Sequence, residues 1–527
     1  MNSFPHSIDI IPGVLLFSVS KEMNADITHR IAAFVDDIDR IQDGSILEIV
    51  PSYASVMVIY DDSVTSRNET VPLLLDTWKR TLQAVGERRS NTISVDVVYG
   101  DTFGEDIANV SEFTGVPVDE VITLHVSGSY TVGAVGFSPG FTYLIGMPPE
   151  LTTPRRDRPR LRVPAGSVGI GGNQTGVYAL ESAGGWNLIG RSPTRLFDPM
   201  ASPPVQLRLG DVVRFRAVDS ADFSELDRAH SQPEGDGPIQ VVSPGLQTTI
   251  QDLGRYGMGR YGFATDGAAD RASLVEANRL VGNSNNTSCL ECTHQGPTLR
   301  FDRRMVFAIA GADIGARLNG RPIRAGSRFE TMPGDELDFV AGPTTHGSRT
   351  YLAVKDGFDV PLVMGSASTN LTAKIGGWHG RALVRGDRLS TGQQQFPEAA
   401  IVPGLQLRTA VGSSDPFRVK PGPQRDRFDE ATWRRLLNSE FGVSDDANRV
   451  GIRLLGPSLA PTNGADSLSE GIVTGSIQVT GEGQAIVMLP GHATIGGYTK
   501  IATVIAEDWD RLGQVSPGDS VRFALAD

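Results

Sequence analysis

VGIGGNQTGVYAL (Val168–Leu180) and ATIGGYTKIATVI (Ala493–Ile505) each set an apolar, alternating segment around a Gly-Gly pair. Each is followed, at a different distance, by a Gly-Asp-x-Val-Arg-Phe phrase: LRLGDVVRF (Leu207–Phe215) after the first, VSPGDSVRF (Val515–Phe523) after the second. MPGDELDF (Met332–Phe339) is a third version of that phrase. Gly-Asp followed by period-two alternation reads as a tight turn feeding a half-buried strand. Two such phrases in matching order, one pair per half, predict a repeated barrel-like β unit. The predicted class is mainly β with α+β parts.

Composition agrees. The chain has 527 residues, so at roughly 100–200 residues per domain it holds several domains. Sixty glycines favour many tight turns over long helices. A net charge of −13 without basic runs excludes nucleic acid as partner, because phosphate neutralisation needs clustered Lys and Arg. No apolar stretch reaches the length of about 18 residues that a membrane span requires. Ile10 to Val19 is apolar but has no Lys or Arg before it, so a buried strand is expected rather than a signal peptide. Two cysteines exclude a disulfide scaffold, and a cytoplasmic location is expected.

The polar, acidic stretch Asp219 to Pro238 reads as a linker. It separates an N-terminal α/β unit (1–95) and a barrel (96–218) from a second half, itself divided at 239–400 and 401–527. Helical spacing is present at Asp26–Ile41, and helices are also expected at Thr70–Val85, Asp270–Leu280 and Asp429–Leu437. Ser45 to Tyr60 reads as strand, turn, strand.

Several motifs invite a chemical reading. Gly136-Phe137-Ser138-Pro139-Gly140 fits the spacing of a nucleophile elbow, but Pro139 has no N–H to offer an oxyanion. A hairpin turn or a ligand-facing turn walled by Phe137 and Phe141 remains. Gly257-Met258-Gly259-Arg260-Tyr261-Gly262 has dinucleotide-loop spacing without the strand and helix that loop needs. Cys289 and Cys292 lie three apart on a strand-like segment and so face opposite sides; no metal site is expected. Gly172, Asn173, Gln174 and Thr175, in a loop with three glycines, could present donors to a carboxylate, amide or phosphate. Trp186 stacks on a planar ligand or fills a barrel end. Lys500, beside Gly496, Gly497 and Tyr498, could polarise a carbonyl or simply face solvent.

FSPGFTYLIGMPPEL, GSVGIGGNQTGVY, GGWNLIGRSPTRLFDP and GDVVRF resemble the B subunit of 5-oxoprolinase, whose family is also called allophanate hydrolase subunit 1. GLQTTIQDLGRYG, DGAADRASLVEANRLVGN, LECTHQGPTLRF, SEGIVTGSIQV and IGGYTKIATVI resemble the C subunit of the same enzyme, whose family is also called allophanate hydrolase subunit 2. The same modules in reverse order form the biotin-dependent carboxyltransferase domain of urea carboxylase. The resemblance implies a natural B–C fusion with cyclophilin-like barrels in both halves. It implies an active site between the halves, where the GGNQTG loop and the GGYTK turn would meet. Gln174, Thr175 and Lys500 would be catalytic. Phe137, Ser138, Pro139, Gly140, Phe141, Gly172, Asn173, Trp186, Gly496, Gly497 and Tyr498 would bind substrate. The implied activity is ATP-dependent opening of the lactam of 5-oxoproline, with a separate A-type subunit. ATP and Mg²⁺ would then need carboxylates and an Arg, for which Asp252, Arg255 and Asp266 are the candidates. The alternatives are a carboxyltransferase acting on an amide nitrogen, with biotin on a separate carrier, and a non-catalytic kinase-inhibitor-type regulator. The small-molecule partner is an amide or lactam, and a homo-oligomer is allowed. The chain departs from the family pattern at Ala367, Asn370 and Gly491–Ala493, where the family commonly carries charged or amide side chains. His492 there is expected at the surface.

Overall fold

A computed structural model describes residues 4–41, 44–81, 90–227, 235–340, 346–392 and 415–526. The apolar run at the N-terminus is two strands, not one. His6–Ile11 and Val14–Ser18 are joined through Gly13, whose φ of 75° lets the chain reverse. With Ser55–Tyr60 and Ile46–Pro51 they form a four-stranded antiparallel sheet. Alternate residues serve two cores. Leu15 and Phe17 pack with Phe34 and Trp78 under the helices Ala25–Asp39 and Arg67–Thr81. Val14 and Leu16 pack on the opposite face. A sheet covered on both faces reads as a continuous apolar run, which explains the missing alternation in this region.

Seven strands then close into a barrel: Thr92–Tyr99, Tyr130–Val135, Thr142–Ile145, Ser167–Gly171, Gln174–Val177, Asn187–Arg191 and Val212–Ala217. Its first strand begins at Thr92, inside the range expected for the N-terminal unit. Helices Ile107–Thr114 and Val118–Ser127 cover it without a signal in the sequence pattern; both are short and have no clean apolar stripe. The expected linker is partly structured. Ser224–Asp227 is a helical turn, and Asp227 is ion-paired to Arg191 at 2.5 Å.

The second half opens with a five-stranded and a six-stranded sheet packed on each other, and the helix Arg271–Val281 covers the other face of the five-stranded one. Cys289 and Cys292 point into different cores there, as the spacing predicts. A second barrel follows, from Phe417–Pro421, Glu440–Val443, Gly451–Leu455, Ser476–Val479, Ala485–Met488, Ile495–Val504 and Ser520–Leu525. Pairing of Phe417–Pro421 with Ile495–Val504 closes it.

Counted within each barrel, both rings run first, seventh, second, third, fifth, fourth, sixth. In both, the Gly-Asp strand runs parallel to the first strand. The repeat is real, but the expected match between the two Gly-Gly phrases is displaced. GGNQTG joins strands four and five of the first barrel, whereas GGYTK opens strand six of the second. The counterpart of GGYTKIAT (Gly496–Thr503) is GGWNLIGR (Gly184–Arg191). The two strands bulge at the same step: Leu188 faces Gly169 and Gly190 faces Val168, as Lys500 faces Gln478 and Ala502 faces Ile477.

The Gly-Asp phrases share one turn. Gly210, Gly334 and Gly518 have φ between 82° and 91°, the conformation a type II turn asks of its third residue. The following Asp accepts the N–H three residues back, at 2.7 to 2.9 Å. Val384–Asp387 repeats this turn, a fourth case that the sequence comparison missed.

Candidate functional site

Three glycine-rich motifs, GFSPG, Gly257–Gly262 and the start of the GGYTK strand, converge where the two halves meet. GFSPG is the hairpin turn between Tyr130–Val135 and Thr142–Ile145, with Phe137 at φ 66°. A Cβ on Gly136 would lie 2.4 Å from Ile495 and 2.9 Å from Thr494 Oγ1, so only glycine permits this approach to the second barrel. Gly140 donates its N–H to the Tyr261 carbonyl at 3.1 Å, and Gly262 rests on Gly136 and the Ser138 carbonyl. The turn of the first half that reaches the GGYTK strand is therefore GFSPG.

The Gly257–Gly262 loop holds an anion, but one belonging to the chain. Glu48, on the N-terminal sheet, accepts the N–H of Gly257 at 2.8 Å, of Gly259 at 2.9 Å and of its neighbour Ile49 at 3.1 Å. Successive backbone N–H groups form an anion-binding concavity, and here a side chain fills it. The next residue, Arg260, is ion-paired to Asp39.

Behind this clamp lies a cavity of about 50 Å³. Glu48, Val50, Met57 and Ile59 line it from the N-terminal sheet, and Leu253, Phe263, Asp266 and Arg271 from the middle of the chain. Val473, His492, Thr494 and Trp509 line it from the second barrel. Burial pushes Glu48 up to about 7, against the pull of its backbone donors. Burial also holds His492 down to about 4. His492 Nδ1 lies 2.8 Å from the Ala493 carbonyl, which only accepts, so that nitrogen carries the proton. The Thr494 hydroxyl is buried and makes no hydrogen bond among the described residues. The expected surface histidine is thus a buried one.

The expected site residues fall elsewhere. Gln174 donates to the Tyr53 hydroxyl at 2.8 Å, and Thr175 donates to the Gly169 carbonyl at 3.0 Å. Thr175 Oγ1 also meets His125 Nε2 at 2.9 Å. Gly172 makes a two-way backbone bridge with Thr153, beside Asn173. Trp186 is 5% exposed and Phe141 is 2% exposed. With Tyr143 and Tyr178 they form an aromatic cluster on the outer face of the first barrel, in a core shared with the N-terminal sheet, with ring centroids 4.7 to 5.7 Å apart. Trp186 packs over Gly171 and Gly176, which leave room for its ring, and so lies against the barrel wall rather than in its end. Ser138 is buried, Pro139 and Gly140 complete the turn, and Phe137 is half exposed.

Lys500 is buried, its Nζ 2.8 Å from Glu470 Oε1. Gln424 donates to that oxygen at 2.6 Å and accepts the Lys500 backbone N–H at 3.1 Å. An idle surface lysine is therefore the wrong picture. Tyr498 is exposed beside it, while Gly496 and Gly497 are partly buried.

Asp252, Arg255 and Asp266 are all buried. Asp252 accepts from Ser366, Ser368, Gly254 and the Ala367 N–H. Arg255 pairs with Asp266 at 2.5 Å and donates to the Ser368 carbonyl, and Asn370 donates to Asp266 at 2.8 Å. Asp252 and Arg255 are bonded to the 365–370 turn, Arg255 and Asp266 to each other; Arg255 Nε has no partner among the described residues, and Asp266 lines the cavity. Two features escaped the sequence reading. Glu48 sits alone on an apolar strand with no motif around it. Glu291, packed between Arg349 and Arg449 and bonded to the Tyr351 hydroxyl at 2.6 Å, is assembled from distant segments.

A family model described as carboxyltransferase domain, subdomain C and D, matches residues 12–207, and one described as subdomain A and B matches 261–525. The second half is 37% identical over 285 residues to the C subunit of 5-oxoprolinase from Escherichia coli, covering 54% of this chain and 90% of that protein. The first is 34% identical over 214 residues to the B subunit of 5-oxoprolinase from Bacillus subtilis, covering 39% of this chain and 88% of that protein. Urea amidolyase of Lachancea kluyveri is 31% identical over 310 residues, which are 54% of this chain but 17% of that protein. The crystal structure of TTHA0988 superimposes with a TM-score of 0.83 at 33% identity, covering 97% of this chain and 99% of that one.

Proposed function

We propose, from the premise that the chain belongs to the carboxyltransferase-domain family, that it is the fused B–C component of an ATP-dependent 5-oxoprolinase. In this reading it opens the lactam of 5-oxoproline to glutamate together with a separate A-type subunit, in the cytoplasm. One observation carries the reading: the B-like and C-like halves stand in that order on one chain and share a core. That core joins Leu16 and Met57 of the N-terminal sheet, Phe141 and Trp186 of the first barrel, and Val473 and Ile495 of the second.

A lactam carbonyl is unreactive until something stabilises the negative charge that develops on its oxygen. Lys500 is proposed to supply positive charge, with Glu470 and Gln424 fixing its position. Gln174 and Thr175, committed to Tyr53 and to Gly169 and His125, act in this reading as positioning residues. ATP and Mg²⁺ are assigned to the A-type partner. Asp252 is bonded to the 365–370 turn and Arg255 to Asp266, and no group of three or more His, Cys, Asp or Glu side chains among the described residues is arranged to hold a metal. No step is routed through nucleotide on this chain.

The test is 5-oxoproline-dependent release of ADP, with the cognate A-type subunit present or omitted. Glutamate and ADP should appear together only in the mixture, and Gln174→Ala and Lys500→Ala should lose that turnover. No turnover with an active A-type partner would remove 5-oxoproline as substrate. The second reading, favoured by the urea amidolyase relatives, is transfer of a carboxyl group to an amide nitrogen from biotin on a separate carrier. It predicts loss of label from a carboxybiotin carrier when an amide acceptor is present.

A further inference from the structure

The chain contains two Asn-Gly pairs, Asn319-Gly320 and Asn463-Gly464. Both asparagines and both glycines are exposed, and the glycines have φ of 75° and 77°. No atom lies within 4 Å of where a Cβ on either glycine would stand. What differs is how each asparagine is held. Asn319 has φ 52°, in the left-handed region. Its Nδ2 donates to Asp335 Oδ1 at 2.8 Å, and its Oδ1 accepts the Glu336 N–H at 2.9 Å. Asn463 has a negative φ, and its side chain makes no hydrogen bond among the described residues. The Gly464 N–H has no acceptor among them either.

We propose that Asn463 is a site of spontaneous covalent modification, converted through a cyclic imide to aspartate and iso-aspartate, while the fold protects Asn319 from the same reaction. The Gly464 nitrogen loses its proton to solvent and attacks Asn463 Cγ. An N–C bond forms, the Cγ–Nδ2 bond breaks, and Nδ2 leaves as ammonia. Water then opens the five-membered ring at either carbonyl. One opening gives aspartate in an unchanged main chain. The other gives iso-aspartate, with the main chain rerouted through Cγ and one methylene longer. The net change is amide plus water to carboxylic acid plus ammonia. Glycine permits the attack, because it has no side chain to crowd the nitrogen and its backbone is unrestricted. At Asn319 two hydrogen bonds must first be released, which slows ring closure roughly tenfold or more. The place of Asn463 gives the change a consequence. Thr462 donates its N–H and its hydroxyl to the Arg427 carbonyl at 2.9 Å, and the Ala465 carbonyl accepts the Thr499 N–H at 2.9 Å. The modified residue therefore lies between two anchored points, at the entry to Asp466–Gly471, the strand whose Glu470 holds Lys500. Both products add a negative charge there, and the iso form adds main-chain length as well.

The full-length chain is incubated at mildly alkaline pH and sampled over time. Its peptides are sequenced by electron-transfer mass spectrometry, which separates iso-aspartate from aspartate. The Asn463 peptide should gain the mass of –NH₂ replaced by –OH, in both isomers, at least about tenfold faster than the Asn319 peptide. In denaturant the two peptides should convert at similar rates, because both are Asn-Gly. Asp335→Ala should speed conversion at Asn319 in the folded chain. Asn463→Gln, whose longer side chain disfavours the ring, should leave position 463 unmodified. A folded chain in which Asn463 stays intact, or in which Asn319 converts as fast, would overturn the proposal. So would slow conversion of Asn319 in denaturant, since the fold would then not be its protection. If Asp335→Ala does not fold, the parent chain compared folded and denatured still decides.

Discussion

Glu48 is fully enclosed, yet it is an acid, and its environment ties stability to pH. Its ordinary value is 4.5 and burial raises it to about 7. The folded chain therefore binds a proton that the unfolded chain has released between those values. The stabilising contribution is fully present below 4.5 and is lost as pH rises through about 7, in total about 3 kcal/mol at 1.36 kcal/mol per unit. His492 works in the opposite sense: held near 4 against 6.5, it withdraws stability as pH falls through that range. Comparing each variant with its parent isolates one contribution. Glu48→Gln should lower the thermal midpoint at both pH 5 and pH 8, and by distinctly less at pH 8. A penalty that does not change with pH would contradict the burial account. Lys500 poses a related problem. Its loss strands Glu470, which is only 12% exposed, and breaking a buried pair costs about 3–5 kcal/mol. Lys500→Ala should lower the thermal midpoint, and adding Glu470→Gln should recover most of the fall without recovering turnover. A double variant no more stable than Lys500→Ala would show that the pair is not what holds this part of the barrel.

Turns join the halves as much as strands do. Gly136→Ala would place a methyl 2.4 Å from Ile495, and Gly259→Ala one 2.7 Å from Val50. Each should cost about 1–3 kcal/mol, as overpacking does. Gly185→Ala meets its nearest atom at 3.5 Å and should be nearly silent in the same melting experiment. At this scale the sequence is readable where a local rule operates. The Gly-Asp turns, the Asn24, Asp270 and Asp429 helix caps and the opposed cysteines all follow from neighbours in the chain. It is unreadable where distant segments meet. Nothing near Glu48 announces that Gly257–Gly259 will receive its carboxylate. Nothing within GFSPG says that its first glycine faces Ile495 rather than a substrate. The GGNQTG and GGYTK phrases look alike as strings, yet only the bulge position shows that GGWNL is the true counterpart. The expected boundary between the two parts of the second half, at 400 and 401, lies outside the described residues.

Across the molecule, the seam is continuous enough to predict association without a covalent link. Chains 1–227 and 235–527 produced separately should co-purify. Glu48→Gln together with Arg260→Ala should weaken the pairing, because those residues anchor the first half to the Gly257–Gly262 loop. Failure of the unsubstituted chains to associate would show that the connection, rather than the seam, holds the halves together. The shared ring order has a different consequence. Packing does not dictate that two seven-stranded rings adopt the same permutation and bulge at the same step, so the barrels read as descendants of one duplicated ancestor. After duplication the sixth strands took separate paths. One copy carries Trp186 and Leu188, packed into the core that the halves share. The other carries Tyr498 and Lys500 at the same two places, retaining a charge inside the protein. The inert copy is then a natural control for the charged one, and exchanging residues between them retraces the divergence.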